Sequence, residues 1–439
     1  MTLLYFVIFI IVVKLFSRQE GYYSTLAVFG IGCYIYYIGI PFELYVLSIE
    51  EFEKGSIILS LSTAQLSQII MMGAMAFLAF SLGYYLSSFN PLKMSRGLRN
   101  RFPRIPYSLK LICIWSLISL LIFFYKNIFA VSTYEAAYGV RYSNPAFSLL
   151  CDFVVLYGVV IASTVIFRGK SLNKILGMGF IVLIFSWGIY TSDKNVILFG
   201  LLAVAASSSC FIRKKGFVSF VYIIIGCVVL IYLIKVFSFY RGGLNIFTAF
   251  SIAIKQFGLR YIDPLGPFVS LQHILNNCSD LQYGQTYLHI FYLVIPRFLW
   301  KERPLDLSEQ FAVDNIVNWS PGQGMGYSPL AEAYLNFSWM GPVIQYLLLG
   351  LLWGYFWKVL SKVLWNFPQG LWQCLYYILG YYLLILMHRG PVAGLMKSLI
   401  LYTSPLILIV IFIDLGILHP DFLMRVSRNG CEKDTNKAA

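Results

Sequence analysis

The sequence predicts an all-α polytopic integral membrane protein, and three observations lead there. Of its 439 residues, 59% are hydrophobic and only 12% are charged, about half the charged share of an ordinary soluble domain. Apolar runs near the twenty residues that a helix needs to cross a bilayer recur along the whole chain. Basic residues fall mainly between those runs and favour alternate loops.

Taken in order, the first run covers 2–17. It lacks a basic leading segment and a small-residue cleavage site, so it reads as a span and not as a cleaved signal peptide. Further runs lie at 22–46, 66–87, 107–128, 149–167, 173–191, 195–211 and 217–237. After a long interval come 339–360, 371–388 and 395–415, which brings the expected count to about eleven spans. The first and seventh are the shortest. This divides the chain into membrane helices 1–8 in residues 1–237, a cap loop over 238–338, membrane helices 9–11 in 339–415 and a tail over 416–439.

The net charge of +14 would suit nucleic acid, but its placement suits topology. One set of loops and the tail hold 20 Lys and Arg, among them the cluster Lys93 to Arg104 and the run Arg213, Lys214 and Lys215. The opposite short loops hold six, including Lys194 and Arg389, and seven more lie in or beside the cap loop. Basic loops stay in the cytoplasm. The N-terminus and the cap are therefore expected outside, the tail inside, and no nucleic-acid partner is expected. The eight cysteines, Cys33, Cys113, Cys151, Cys210, Cys227, Cys278, Cys374 and Cys431, are scattered without a CxxC pair. They indicate neither a disulfide framework nor a zinc site.

The cap loop is too apolar for a free linker. "YLHIFYLVIPRFLW" at 287–300 has the length of an interfacial or re-entrant helix but not of a span. On such a helix Arg297 and Lys301, four residues apart, would share one face. "DLSEQF" at 306–311 sets Asp306 three residues before Glu309, a helix-start pattern. Ser328 and Pro329 form an N-cap and first-turn pair. The helix they open carries Glu332 in its first turn and Asn336 one turn on, with N–H groups that favour an anion nearby. The glycines of "GQGMG" just before it would let backbone approach a ligand.

Positive charge recurs on this expected outer face at Arg241, Arg260, Arg297, Lys301 and Arg303, joined from short loops by Lys194 and Arg389. Topology does not require cations there. A guanidinium cluster fits a lipid-linked diphosphate, which it binds bidentately; snorkelling and headgroup contact are the other reading. His273, His289 and His388 have no metal-ligand spacing, Asp263 precedes a proline as an Asx turn would, and no acidic pair suggests a metal. Aromatic residues, 18% of the chain, suit span packing and interface belts, and ring faces in the cap can also stack on sugars.

At "PRFLWKERP" and "EAYLNFSWMGP" the sequence resembles the Wzy-type O-antigen polymerases. The likeness runs mainly over residues 190–390. Lys194 stands where that family has a basic residue opening a span. Arg241 and Gly242 match an Arg-Gly pair at the start of the long loop. Pro296, Arg297, Trp300, Arg303 and Pro304 match a proline, basic residue, tryptophan and basic-proline pattern. Glu332, Asn336, Phe337 and Gly341 match a further one, with Ser338 where glycine is common.

The resemblance implies a GT-C-like architecture in a bacterial inner membrane and a metal-independent glycosyl transfer on the periplasmic face. Donor and acceptor would be undecaprenyl-diphosphate-linked oligosaccharides, and a chain-length regulator and a flippase would be partners. Glu332, Arg241 and Arg297 would be catalytic. Lys194, Arg260, Lys301, Arg303, Asn336, His388 and Arg389 would bind substrate. An O-antigen ligase shares the spans, the large loop and the lipid-linked donor. A flippase of lipid-linked sugars would instead place charges along span interiors, and here the spans are nearly charge-free. A structural adaptor would not need cations clustered beside Glu332.

Overall fold

The computed structural model describes residues 25–49, 51–54, 57–60, 62–89, 145–168, 171–190, 194–211, 244–255, 265–277, 280–293, 302–316, 325–366 and 371–414, with isolated positions between them. Apart from one hairpin and short turns and links, the described chain is helical. We number the helices α1 (Thr25–Val46), α2 (Thr63–Phe89), α3 (Pro145–Arg168), α4 (Ser171–Tyr190), α5 (Lys194–Phe211), α6 (Ile246–Lys255), α7 (Leu265–Asn277), α8 (His289–Leu293), α9 (Leu307–Asn315), α10 (Pro329–Phe337) and α11 (Met340–Asn366). The next, α12, is built of Leu371–Tyr377, a π-helical turn Ile378–Tyr382 and Leu383–Leu386, and α13 covers Val392–Asp414.

Three helical stretches, Thr25–Val46, Thr63–Ser87 and Met340–Lys358, are long and apolar enough to cross a membrane. The runs at 149–167, 173–191, 195–211, 371–388 and 395–415 also fall on helices, α3, α4, α5, α12 and α13. The run at 107–128, the tail and nearly all of 2–17 and 217–237 lie outside the described residues. Between α1 and α2 lies an antiparallel hairpin, β1 (Glu51–Lys54) on β2 (Ile57–Ser60), with Glu51 opposite Ser60 and Lys54 opposite Ile57.

The tightest helix pair is α2 against α11, and glycines explain it. Gly83 faces the carbonyl of Leu347, Gly350 faces that of Phe80, and Gly354 sits against Tyr84 and Ser87. A Cβ at any of these would run into the opposing helix. Gly350 and Gly354 are four apart, the small-xxx-small spacing that lets apolar helices approach in lipid, where packing replaces the hydrophobic drive. The Lys358 ammonium closes the seam by donating to the Ser87 carbonyl at 2.7 Å. On its other face α11 holds α12: the Trp353 indole N–H donates to Leu379 O at 2.9 Å, inside the π turn.

A second π segment, Tyr34–Gly39, interrupts α1. Pro41 follows it, and proline has no N–H to give the carbonyl four residues back, which loosens the ladder there. Helices α3, α4 and α5 form a packed group, joined to α12 by the Tyr377 hydroxyl on Phe199 O at 2.7 Å.

Parts of the chain between α5 and α11 pack on this bundle. Gln65 at the start of α2 reaches Asn276 of α7 at 2.5 Å, and Ser328 N–H donates to Ser270 of α7 at 2.8 Å. Helix α6 is amphipathic: Ala249 and Ala253 pack on Val236, whereas Phe247 is 81% exposed. The long helix expected over 287–300 is not there. A 3-10 turn, Gln285–Leu288, leads into α8, which stops at Leu293. Pro296 explains the stop, because a proline disfavours helix at the residue before it. Leu299 and Trp300 are non-helical; the shared face expected of Arg297 and Lys301 falls on residues outside those described.

Helices α10 and α11 meet at a sharp corner. Ser338 there has φ 50° and ψ −137°, a region that glycine enters freely and a Cβ penalises. Its N–H still bonds Tyr334 O at 2.7 Å and its carbonyl takes Gly341 N–H at 3.0 Å. Ser338→Gly should therefore raise stability by about 1 kcal/mol, seen as a higher thermal midpoint of the detergent-solubilised protein. Gly350→Leu should do the reverse and abolish accumulation of folded protein, measured as monodisperse material on size exclusion; normal yield would show that the α2–α11 seam tolerates separation.

Candidate functional site

Where the chain between α5 and α11 meets the bundle lies a group of buried polar side chains centred on Glu332. The start of α10 positions it. Ser328 caps the helix, its hydroxyl accepting from the N–H groups of Leu330 at 3.2 Å and Ala331 at 3.4 Å, with Pro329 at the first position. Both capping expectations, for Asp306 and for Ser328, hold; Asp306 accepts from Glu309 N–H at 2.8 Å. The same cap overturns the expected anion site. The free N–H groups of the α10 start are taken by Ser328, and Pro329, Leu330 and Ala331 are all buried. Gly326, likewise, serves close packing on Pro267, and the glycines at 322 and 324 lie outside the described residues.

Glu332 is completely buried. One carboxyl oxygen accepts from the Thr286 hydroxyl at 3.0 Å and the other from the Val392 N–H at 2.6 Å. Val392 is the first residue of α13, so the acid also sits where that helix's unpaired N–H groups and positive dipole end favour it. Asn336, one turn along α10, is also fully buried. Its amide donates to Thr286 Oγ1 at 2.6 Å and to Glu332 O at 2.8 Å, and its carbonyl accepts from Gly284 N–H at 2.8 Å. Beside them Gln345 of α11 accepts from the Tyr287 hydroxyl at 2.6 Å and donates to Pro329 O at 2.9 Å.

The other predicted site residues divide. His388 and Arg389 form the turn that leads into α13, so "HRGP" and Glu332 come together across the chain. His388 is fully buried, its ring centroid 4.7 Å from Phe29, 5.5 Å from Tyr37 and 5.9 Å from Tyr36. Arg389 is half-buried. Arg303 is buried and donates from Nη1 to Leu293 O at 3.0 Å and Ile295 O at 2.8 Å, which ties the end of α8. Lys194 is the first residue of α5. Arg241, Arg260, Arg297, Lys301 and Asp263 lie outside the described residues. His273 contacts Asn277 at 3.2 Å and Phe311, as a packed helix residue does. Among the described residues no group of His, Cys, Asp and Glu is placed to hold a metal.

Thr286, Tyr287, Gln345 and Val392 escaped the sequence reading. Gln345 carried a signal: it is the one amide in the predicted span 339–360, and a polar group inside a span is costly enough to mark a function. Val392 contributes only its backbone, which no side-chain pattern reveals.

Burial is the main influence on the Glu332 carboxyl, raising it from an ordinary 4.5 to about 7. The Val392 and Thr286 hydrogen bonds pull it down, and Asp306 adds a small upward push. An acid poised near neutrality can accept or release a proton in catalysis. Burial also keeps the Tyr287 phenol protonated, with the Glu332 charge adding to the effect, so it can donate to Gln345. No protein-family model, curated protein or solved structure matches the chain.

Because the folded carboxyl titrates above its unfolded value, the folded state holds the extra proton between about pH 4.5 and 7. Its contribution to stability is full below that window and is lost as pH rises through about 7. The thermal midpoint of the wild type should fall across this window, and that of Glu332→Gln should be flatter. Equal pH slopes for the two would contradict the assignment.

Proposed function

We propose that the chain is a membrane glycosyltransferase of the O-antigen polymerase type, joining undecaprenyl-diphosphate-linked repeat units at the periplasmic face. The observation that carries the reading is Glu332: a buried acid titrating near 7, at the head of the span-length helix that follows, in the stretch that resembles the polymerases. The chemistry makes two demands. As the sugar's anomeric carbon loses its bond to the carrier, negative charge grows on the departing diphosphate. As the acceptor hydroxyl attacks that carbon, its proton must leave.

Arg241 and Arg297 meet the first demand, with Lys194, Arg260, Lys301 and Arg389 as further cations on the same expected face. Donors placed for developing charge each contribute about 3 kcal/mol. Glu332 meets the second and accepts the acceptor's proton. Undecaprenyl diphosphate then departs, and the new glycosidic bond links the growing glycan to the fresh unit. Because Glu332 is sealed by Thr286 and the Val392 turn, admission of an acceptor hydroxyl requires one of those two segments to withdraw. Asn336 holds Thr286, and Arg303 ties down the backbone at Leu293 and Ile295.

Glu332→Gln separates chemistry from scaffold. The amide still accepts from Val392 N–H and bonds Thr286, but it takes up no proton. Expressed in a strain lacking the chromosomal copy, this variant should accumulate normally and leave lipid A core with a single repeat unit on a lipopolysaccharide gel. Full-length ladders would remove Glu332 from catalysis. Arg241→Ala and Arg297→Ala should shorten chains or eliminate them, with activity losses on the order of 10²-fold or more. The deletion strain discriminates the ligase and flippase readings, because loss of either would leave core with no repeat at all.

A further inference from the structure

The turn over residues 282–285, just ahead of Thr286, contains an anomaly. Its central residues Tyr283 and Gly284 both have positive φ, 45° and 92°. The Gln285 N–H closes the turn on Gln282 O at 2.9 Å. That is the pattern of a type I′ turn, where asparagine followed by glycine is favoured because both tolerate the left-handed region. Gly284 suits it. Tyr283 does not, since a bulky aromatic side chain at positive φ is strained.

The strain is held in place by the helix that carries the acid. Gln282 N–H donates to Leu335 O at 3.0 Å, Gly284 N–H donates to the Asn336 side chain at 2.8 Å, and Tyr287 stacks on Phe337 with centroids 6.3 Å apart. The Tyr283 side chain gains nothing from packing in return, being 76% exposed. Strained residues that persist without a packing reason gather at binding and active sites. Here the ring stands on a rigid backbone three residues from Thr286, the hydroxyl that touches Glu332, and three residues of chain span at most about 10 Å.

We propose that Tyr283 is a sugar-stacking residue, its exposed ring presenting a flat apolar face to a pyranose of the incoming acceptor unit. The inference rests on the glycosyl-transfer reading above and names the group that holds the acceptor beside the Glu332 node. A tyrosine ring is well made for stacking on a sugar, being rigid, apolar on its faces and polar at one end.

The test exploits the turn chemistry. Tyr283→Asn restores the residue that the turn prefers, so the protein should accumulate normally with an equal or higher thermal midpoint. In the complemented deletion strain it should nonetheless give about tenfold less polymerised lipopolysaccharide, the scale of one lost ring contact. Tyr283→Phe and Tyr283→Trp should restore the ladder. Full ladders from Tyr283→Asn, or a lowered midpoint, would overturn the proposal and leave the transfer reading standing. Quenching of the Tyr283→Trp signal by phospholipids brominated on their acyl chains, beyond that of the parent protein, would assign the ring to the bilayer and also overturn it. Failure of the transfer reading has its own signature, full ladders from Glu332→Gln.

Discussion

The hydrogen bond from the Val392 N–H to the Glu332 carboxyl, 2.6 Å long, carries much of this architecture. It joins the first residue of α13 to α10, 60 positions earlier. The second carboxyl oxygen reaches Thr286, and Asn336 completes the group. A buried carboxyl with no partner would be expensive; here three distant segments meet because each supplies part of its solvation. The same burial that demands those partners also brings the proton affinity into the neutral range. Position and chemistry come from one cause.

Much of this is readable from the residues alone, for physical reasons that differ by element. Helix α10 is legible to its first residue because capping is local: Ser328 and Pro329 are adjacent to what they start, as Asp306 is to α9. The apolar runs are legible because lipid tolerates little else. The α8 region misleads because apolar content over 287–300 outweighs one proline on paper, and proline wins in the fold. The anion site expected at α10 fails because a capping side chain and an anion compete for the same N–H groups. Contacts made by backbone alone, such as Val392 on Glu332, leave no residue pattern to find. The corner residue Ser338 shows in the sequence only as a departure from the pattern it resembles; its positive φ explains why glycine suits that place.

The helical, membrane-compatible character of the chain follows from composition and from three span-length apolar helices. The transfer chemistry is a proposal built on one acid, its environment and a resemblance in short motifs. In that proposal the cations would supply the other half of the chemistry, and Arg303, donating to the Leu293 and Ile295 carbonyls, shows that positive charge in this region also shapes backbone.

The glycine seam between α2 and α11 bears on how such a site would breathe. Gly83, Gly350 and Gly354 bring two backbones into contact, leaving no side-chain layer that could shear. Helix α10 hangs from α11 by the two residues Ser338 and Trp339, so the acid's position is tied to that seam. Under the transfer proposal, what yields to admit a glycan is the strap through Thr286 or the bend at His388. The carboxyl is then an anvil: stationary, with the doors moving around it.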